Sequence, residues 1–456
     1  MNRIASRATA AAVLVLVLLG GLGFFLTEYF HKAQDWVMFT GSPHIYTNGR
    51  LGSGVITDRS GILLADLREG RSYSTDETLR KAVLHWVGDR QGNVSVPYMD
   101  RYTEALLAYD PVAGLYQYGE NAGIITLTLS ANLQKAALEA MGDRVGTLAV
   151  YNYRTGELLC AVSTPTFDPD HVPDIAGDTT GAYTGVYVNR FLHSAYTPGS
   201  IFKIVTLAAV LESAQELMDA RFTCQGTYQM SGGKVSCTGT HGSQNLQEAF
   251  RNSCNCAFAQ ITEGLGREKL QAFVKKTGLT ESLSFDGFVT HGGNFDTEGA
   301  SAQQLAWSGI GQHKDLVNPC GFLTFLGAIA GDGRAVQPYC VAQVSSGDKI
   351  TYTAEKQTGK ALFSKETCKI LREYMGLNVT EKYGAEHFPG LTVCAKSGTA
   401  EVGGGKAPTA MFAGFVTDTQ YPLAFVVTVE EGGFGAQTCV PILAKVLEAC
   451  KSELYG

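Results

Sequence analysis

Only one stretch of this 456-residue chain is apolar for long enough to cross a lipid bilayer. No internal repeat and no low-complexity linker is present, which argues against a repeat array or a string of tethered modules. Charge is sparse at 17%, and the balance is slightly acidic, with a formal net charge of −7 and a pI near 5.8, so no nucleic-acid partner is expected. The 11 cysteines are an odd number and leave at least one unpaired. Cys254 and Cys256 lack a second matching pair and the histidines are scattered, so this spacing announces no zinc site, and neither a metal nor a cofactor is expected. Cys224 and Cys237 flank a short Gly-rich stretch and could close a hairpin disulfide. Most of the remaining cysteines read as small apolar fillers.

The rest of the composition is globular, with 45% hydrophobic residues. The 53 glycines suit a loop-rich protein that mixes helix and strand, and the length allows more than one domain. The long apolar run is Ala8–Leu26, preceded by Arg3 and Arg7. By the positive-inside rule the N-terminus is cytoplasmic and the remainder exported. A cleaved signal peptide would have a shorter apolar core and a small-x-small site, and Leu22 to Thr27 is too bulky for one. A retained anchor over residues 1–30 is therefore expected.

Residues 31–122 mix short strands and a helix from Thr75 to Val87, capped by Ser74 or Thr75, and they hold no acid pair set up for chemistry. The expectation there is a pedestal or interaction module. Gly123 to Leu129 alternates as a strand, and Ser130 caps a helix through Met141. Thr147–Tyr153 and Glu157–Ser163 read as a hairpin around Arg154-Thr155-Gly156. Further helices are expected over Leu246–Leu265, Arg267–Lys276, Gly321–Ala330 and Pro441–Tyr455. Strands are expected around Lys396, from Ala410 to Val416 and from Leu423 to Glu430.

Three short segments carry chemistry. In Pro198-Gly199-Ser200-Ile201-Phe202-Lys203 a chain breaker precedes an apolar helical run. Ser200 then sits near a helix start, with Lys203 on the same face. A serine hydroxyl needs a neighbouring base, and a lysine serves only if burial or a nearby cation lowers its pKa. The same residues also fit an N-cap and a solvated lysine, and Ser231–Lys234 and Ser346–Lys349 repeat the spacing in turn-like surroundings, so this triplet alone leaves both readings open. Ser253-Cys254-Asn255 offers a hydroxyl to pass a proton to a leaving nitrogen and an amide to hold a peptide. Ser130-Ala131-Asn132 and Ser243-Gln244-Asn245 share the pattern, the first as a helix cap and the second in a loop. Lys396-Ser397-Gly398-Thr399 reads as a strand with an exposed edge. Gly398 would admit a substrate backbone, Ser397 and Thr399 could bind a carboxylate, and Lys396 would supply positive potential. Lys276-Thr277-Gly278 competes, but ends a helix.

In the order Ser200, Ser253, Lys396 these segments match the trio that marks penicillin-binding proteins and class A β-lactamases. With Asn152-Tyr153-Arg154-Thr155-Gly156-Glu157, Gly309-Ile310-Gly311-Gln312, Asn318-Pro319 and Asp58-Arg59-Ser60-Gly61, nearly the whole chain beyond the anchor resembles a class B penicillin-binding protein, a small elongation- or spore-type D,D-transpeptidase. The resemblance implies an α+β fold: an antiparallel sheet flanked by helices with an all-helical subregion over 123–456, on a small mixed pedestal. It implies acyl transfer through Ser200, with Lys203 as base, Ser253 as proton relay, Asn255 and Lys396 in the catalytic group, and Ser397, Gly398 and Thr399 binding substrate. The N–H groups of Ser200 and Thr399 would form the oxyanion hole. Peptidoglycan stem peptides, β-lactams and a membrane glycan polymerase are the implied partners. Two departures stand out: Ser397 replaces the commoner threonine, and Cys254 is uncharged where the β-lactamases have aspartate. The alternatives are a carboxypeptidase or β-lactamase-like hydrolase and a non-catalytic β-lactam-binding scaffold. No glutamate stands in a clear loop context for activating a deacylating water, and the stretch before Gly123 is too short for a glycosyltransferase domain.

Overall fold

Alternating apolar residues on either side of Gly156 pair as the first hairpin of an antiparallel sheet, β1 (Gly146–Asn152) and β2 (Leu158–Thr164). Three strands from the far end of the chain complete it: β3 (Val393–Ala400), β4 (Thr409–Val416) and β5 (Leu423–Val429), in the order β2-β1-β5-β4-β3. The sheet belongs to a computed structural model that describes residues 2–37, 46–47, 50–68, 70–110, 115–116 and 122–455. The helices that matter most are α1 (Asn2–Val37), α2 (Ala131–Met141), α3 (Lys203–Ser213), α4 (Asn255–Leu265) and α5 (Gly435–Tyr455).

Successive strand side chains point to opposite faces, and both faces of this sheet are covered. Leu148, Val150, Phe425, Val427 and Ala395 pack against α2 and α5. Ala149, Tyr151, Ala424, Val426 and Cys394 turn the other way, into a core shared with α3, α4 and the helix Pro319–Ala330. Lys396 lies two residues beyond Cys394 on β3, so it too faces the helical side. β3 is an edge strand with one free row of backbone groups.

A second, six-stranded mixed sheet carries the N-terminal part. Its order is Lys349–Thr353, Val341–Ser346, Ile124–Leu127, Val55–Thr57, Leu63–Asp66 and Ser72–Tyr73. Val55–Thr57 runs parallel to Ile124–Leu127, so the sheet spans the boundary expected at 122/123. Parts of the stretch 31–122 (38–45, 48–49, 69, 111–114 and 117–121) lie outside the described residues. Asp58 joins the regions: its carboxylate accepts from Ser60 and Ile62 N–H, 2.8 Å each, and from Ala131 N–H at the start of α2, 3.0 Å. Arg80 makes a buried, two-pronged ion pair with Asp168 after β2, both contacts 2.7 Å.

Five expectations need correction. The helix ending at Val87 begins at Glu77, because Asp76 rather than Ser74 or Thr75 accepts from a first-turn N–H, that of Leu79 at 3.0 Å. The helix expected over Leu246–Leu265 is two, Leu246–Arg251 and α4, separated at Ser253. The last helix starts at Gly435 and carries Pro441 inside it. Cys224 and Cys237 form no disulfide, and every cysteine among the described residues is a free thiol. The Gly321–Ala330 helix starts earlier, at Pro319, with Asn318 capping it. Among the described residues, Arg3–Lys32 within α1 is the one helix long and apolar enough to cross a membrane, and it is solvent-exposed along its apolar length.

Candidate active site

Pro198-Gly199 turns the chain sharply into a single 3-10 turn, Gly199–Phe202, that leads straight into α3. Gly199 has φ +53, and its N–H donates to Gly311 O at 2.7 Å. Gly311, the C-cap of the helix Ala302–Ile310, thus props up the turn that carries Ser200. Ser200 is half-buried on the cleft side, whereas Lys203, one turn on, is wholly buried.

Ser253 connects the two helices with φ +50, a left-handed conformation that costs a non-glycine residue free energy and must be held by its surroundings. This break brings its backbone and side chain to the buried amine. Lys203 Nζ lies 2.6 Å from Ser253 O, 2.8 Å from Asn255 Oδ1, and 3.2 Å from both Ser200 Oγ and Ser253 Oγ. Lys396 Nζ reaches Ser253 Oγ at 3.0 Å and Ser397 O at 2.9 Å. Ser253 therefore stands between two amines, one of which also touches Ser200. Burial, and then the charge of Lys396, hold the Lys203 pKa well below the usual lysine range. Burial alone brings Lys396 down to about 7.

β3 closes the other side. The N–H and the hydroxyl of Ser397 both donate to Tyr383 Oη, each 3.0 Å, so the Ser397 N–H points off the free edge. Strand alternation gives Thr399 N–H the same direction. Gly398 lies against the nucleophile turn: a Cβ there would sit 2.8 Å from Pro198 O. The cleft between turn, Ser253 and β3 measures about 610 Å³ and is lined by Ser200, Ser253, Asn255, Ser397 and Thr399, with Trp307 and Phe434 as apolar walls. All eight residues singled out from sequence meet here, Lys203, Lys396 and Gly398 in the wall behind and beside the cleft. The rival segments lie in ordinary structural settings. Ser231–Lys234 and Ser346–Lys349 form hairpin turns, Ser130 caps α2, and Gly278 ends its helix in the left-handed region.

Sequence reasoning missed Tyr383, Trp307, Phe434, Thr238 and Glu401 at the cleft. Tyr383 ends a π-helical turn, Val379–Tyr383, and no local pattern announces that it will meet β3. It also missed a cluster behind Ser253, where Cys224, Cys237, His241 and Cys254 bring four donor atoms together.

The model of the penicillin binding protein transpeptidase domain matches residues 146–448. Peptidoglycan D,D-transpeptidase PbpA of Mycolicibacterium smegmatis is 30% identical over 340 residues, which cover 68% of each chain. Stage V sporulation protein D of Bacillus subtilis is 32% identical over 329 residues, covering 68% of this chain and 49% of its own. Among solved structures, a ceftriaxone acyl-enzyme complex of penicillin-binding protein A from M. tuberculosis superposes with a TM-score of 0.76 at 23% identity, covering 87% of this chain and 98% of that one. The D,D-transpeptidase domain of a peptidoglycan glycosyltransferase from Eggerthella lenta gives 0.74 at 25% identity, covering 88% and 99%. On the extent of the domain match, and with its edge strand, nucleophile turn and buried lysines assembled as described, this chain belongs to the penicillin-binding protein transpeptidase family.

Proposed function

We propose that this protein is a peptidoglycan D,D-transpeptidase acting through a Ser200 acyl-enzyme. The observation that carries the reading is the convergence of Ser200 and Ser253 on Lys203, with Lys396 as a second buried amine behind Ser253. A lysine with a lowered pKa is a usable base at neutral pH. Ser200 Oγ attacks the carbonyl between the two terminal D-alanines of a stem peptide, and its proton passes to the neutral amine of Lys203. The N–H groups of Ser200 and Thr399 take the developing oxyanion, each contributing about 3 kcal/mol to the transition state. Ser253 Oγ, touching both amines, hands its proton to the departing D-alanine nitrogen as the peptide bond breaks and takes the proton held by Lys203 in its place, leaving that amine neutral. The amine of a neighbouring stem peptide then attacks the ester and gives up a proton to Lys203, which returns it to the Ser200 oxygen as the ester breaks and the new peptide crosslink forms.

In this reading Asn255 bonds the side chain of the donor peptide, and the hydroxyls of Ser397 and Thr399 receive its terminal carboxylate beside the positive potential of Lys396. Gly398 keeps the strand edge open to the peptide backbone. A β-lactam enters by the same attack, but its leaving nitrogen stays tethered, so the ester persists. α1 would anchor the protein with its N-terminus cytoplasmic and the catalytic part outside, over a division into anchor (1–30), pedestal (31–122) and transpeptidase domain (123–456). A membrane glycan polymerase would supply the strands that are crosslinked.

Labelling with a fluorescent penicillin tests the reading. The native chain should form a stable covalent adduct, and Ser200→Ala should form none. Equal labelling of the variant would remove Ser200 as nucleophile, and rapid loss of label from the native chain would favour a hydrolase.

A further inference from the structure

Directly behind Ser253 and Asn255, four side chains from three separate loops converge. Cys224 ends the strand Phe222–Cys224, Cys237 follows the strand Gly233–Ser236, His241 precedes the strand Gly242–Gln244, and Cys254 caps α4. Their four donor atoms all lie within 4.8 Å of one another. Cys237 Sγ is 3.8 Å from Cys254 Sγ, and His241 Nδ1 is 3.5 Å from Cys224 Sγ and 3.6 Å from Cys237 Sγ. These separations have a specific meaning. Zinc–sulfur bonds of about 2.3 Å and zinc–nitrogen bonds of about 2.0–2.1 Å at tetrahedral angles put two sulfurs about 3.8 Å apart, and sulfur and nitrogen about 3.5 Å apart.

The local backbone also contributes to the arrangement. Ala257 N–H donates to Cys254 Sγ at 3.4 Å. Such N–H···S contacts orient ligands around a structural metal. Cys256 stands apart from the quartet, with its thiol directed to Val235 O. Cys224 and Cys254 are buried, while Cys237 and His241 are partly exposed and leave an entry path.

We propose that Cys224, Cys237, His241 and Cys254 bind one structural Zn²⁺ ion, which fixes the corner carrying Ser253 and Asn255 against the adjoining wall of the cleft. Three thiolates and one imidazole fill a tetrahedron and leave no open position, so the ion is structural and takes no part in the acyl transfer. Its reach into the site is short. Cys254 lies between Ser253 and Asn255 in the chain, Asn255 Nδ2 donates to Ser236 O at 3.0 Å, and Thr238 lines the cleft. Both neighbours of Cys237 thus touch the site that both neighbours of Cys254 build.

The test uses the full chain, purified in detergent under reducing conditions. Elemental analysis should find one zinc per chain, and Co²⁺ exchanged into the site should show tetrahedral d–d bands with thiolate-to-metal charge transfer. Cys237→Ser and His241→Ala should each abolish stoichiometric zinc. If either variant fails to fold, thiol counting on the native chain replaces it: zinc should protect three thiols that become reactive after chelation. A shift of Ser253 and Asn255 by about 1 Å costs on the order of 100-fold in rate, so chelation should slow penicillin acylation to that extent and added zinc should restore it. Absence of zinc and cobalt binding, undiminished zinc in a folded variant, or a Cys237–Cys254 disulfide in place of the metal would overturn the site. An acylation rate untouched by chelation would overturn its bracing role. Metal content is read without reference to activity, so it stands or falls separately from the transpeptidase reading.

Discussion

Gly398→Ala adds a single methyl at the seam between the edge of β3 and the nucleophile turn, and the structure fixes what that methyl meets. It would lie 2.8 Å from Pro198 O, 3.1 Å from Ile201 Cγ2 and 3.3 Å from Met411 Cβ. The first contact is with backbone, and Met411 on β4 blocks retreat on the other side. Since ordinary contact begins near 3.4 Å, seam and turn must part by about 0.6 Å. On the scale at which a 1 Å misplacement costs on the order of 100-fold, this widening should slow acylation of Ser200 by about 10-fold. Overpacking of this kind destabilises by about 1–3 kcal/mol, which leaves the fold intact. The second-order rate of labelling by a fluorescent penicillin, with a thermal midpoint as control, measures both effects. Gly199→Ala should lose more. Its Cβ would sit 2.7 Å from Thr399 O across the same seam, and its φ of +53 adds backbone strain. Acylation of Gly398→Ala at the native rate would show that β3 and the Ser200 turn do not meet as described.

Tyr383→Phe strips the acceptor from the Ser397 N–H and hydroxyl, leaving two donors unpaired at about 1–3 kcal/mol. Acylation should fall by about 10-fold with little change in fold, and an unchanged rate would reduce Tyr383 to packing against Phe412. Arg80→Met leaves the Asp168 carboxylate buried without its guanidinium and should cost about 3–5 kcal/mol in urea unfolding, whereas a loss below about 1 kcal/mol would refute the pairing. Because that guanidinium holds the Asp168 carboxyl well below the usual carboxylate range, the stability it confers is present above the unfolded carboxylate pKa and is lost as pH falls. Lys396, brought down to about 7 by burial against an ordinary value of 10.5, gives a slope of the same sign in a higher pH window. Between those values the unfolded chain binds more protons, so native stability should rise with pH across that window, and Lys396→Met should flatten the rise while abolishing acylation.

The three segments that meet at the cleft were legible because each carries a local signal that survives folding: a chain breaker before an apolar helix, a hydroxyl and amide two apart, a glycine in an alternating strand. The hairpin around Gly156 and the cap at Ser130 were legible for the same reason. What escaped depends on meetings between distant segments. The helix break at Ser253 follows no glycine or proline, and Lys203 bonds to both its carbonyl and its hydroxyl. Tyr383 reaches β3 from a π-helical turn whose sequence is unremarkable in polarity. The cysteine–histidine cluster was hidden because its members stand at the ends of three strands and at the cap of α4, so the paired Cys-x-x-Cys spacing that usually betrays such a group is absent. Read singly, most of the cysteines pass for small apolar fillers.

The site works against the stability of the fold that holds it. Lys203 and Lys396 are fully buried amines, and burying a charged amine costs enough to favour the neutral form. Ser253 adds a strained backbone at their meeting point. Such a corner persists only where the surroundings overdetermine it. On one side the surroundings are plain: β3 belongs to a sheet covered on both faces, and Gly311 fixes the nucleophile turn. Among the described residues, the Ser253 side is backed by short two-stranded ribbons and the head of α4 rather than by the five-stranded sheet. The thiols and imidazole gather there, beside the left-handed Ser253 backbone. A closed tetrahedral metal is a compact way to supply the missing rigidity without placing a further charge in the cleft itself.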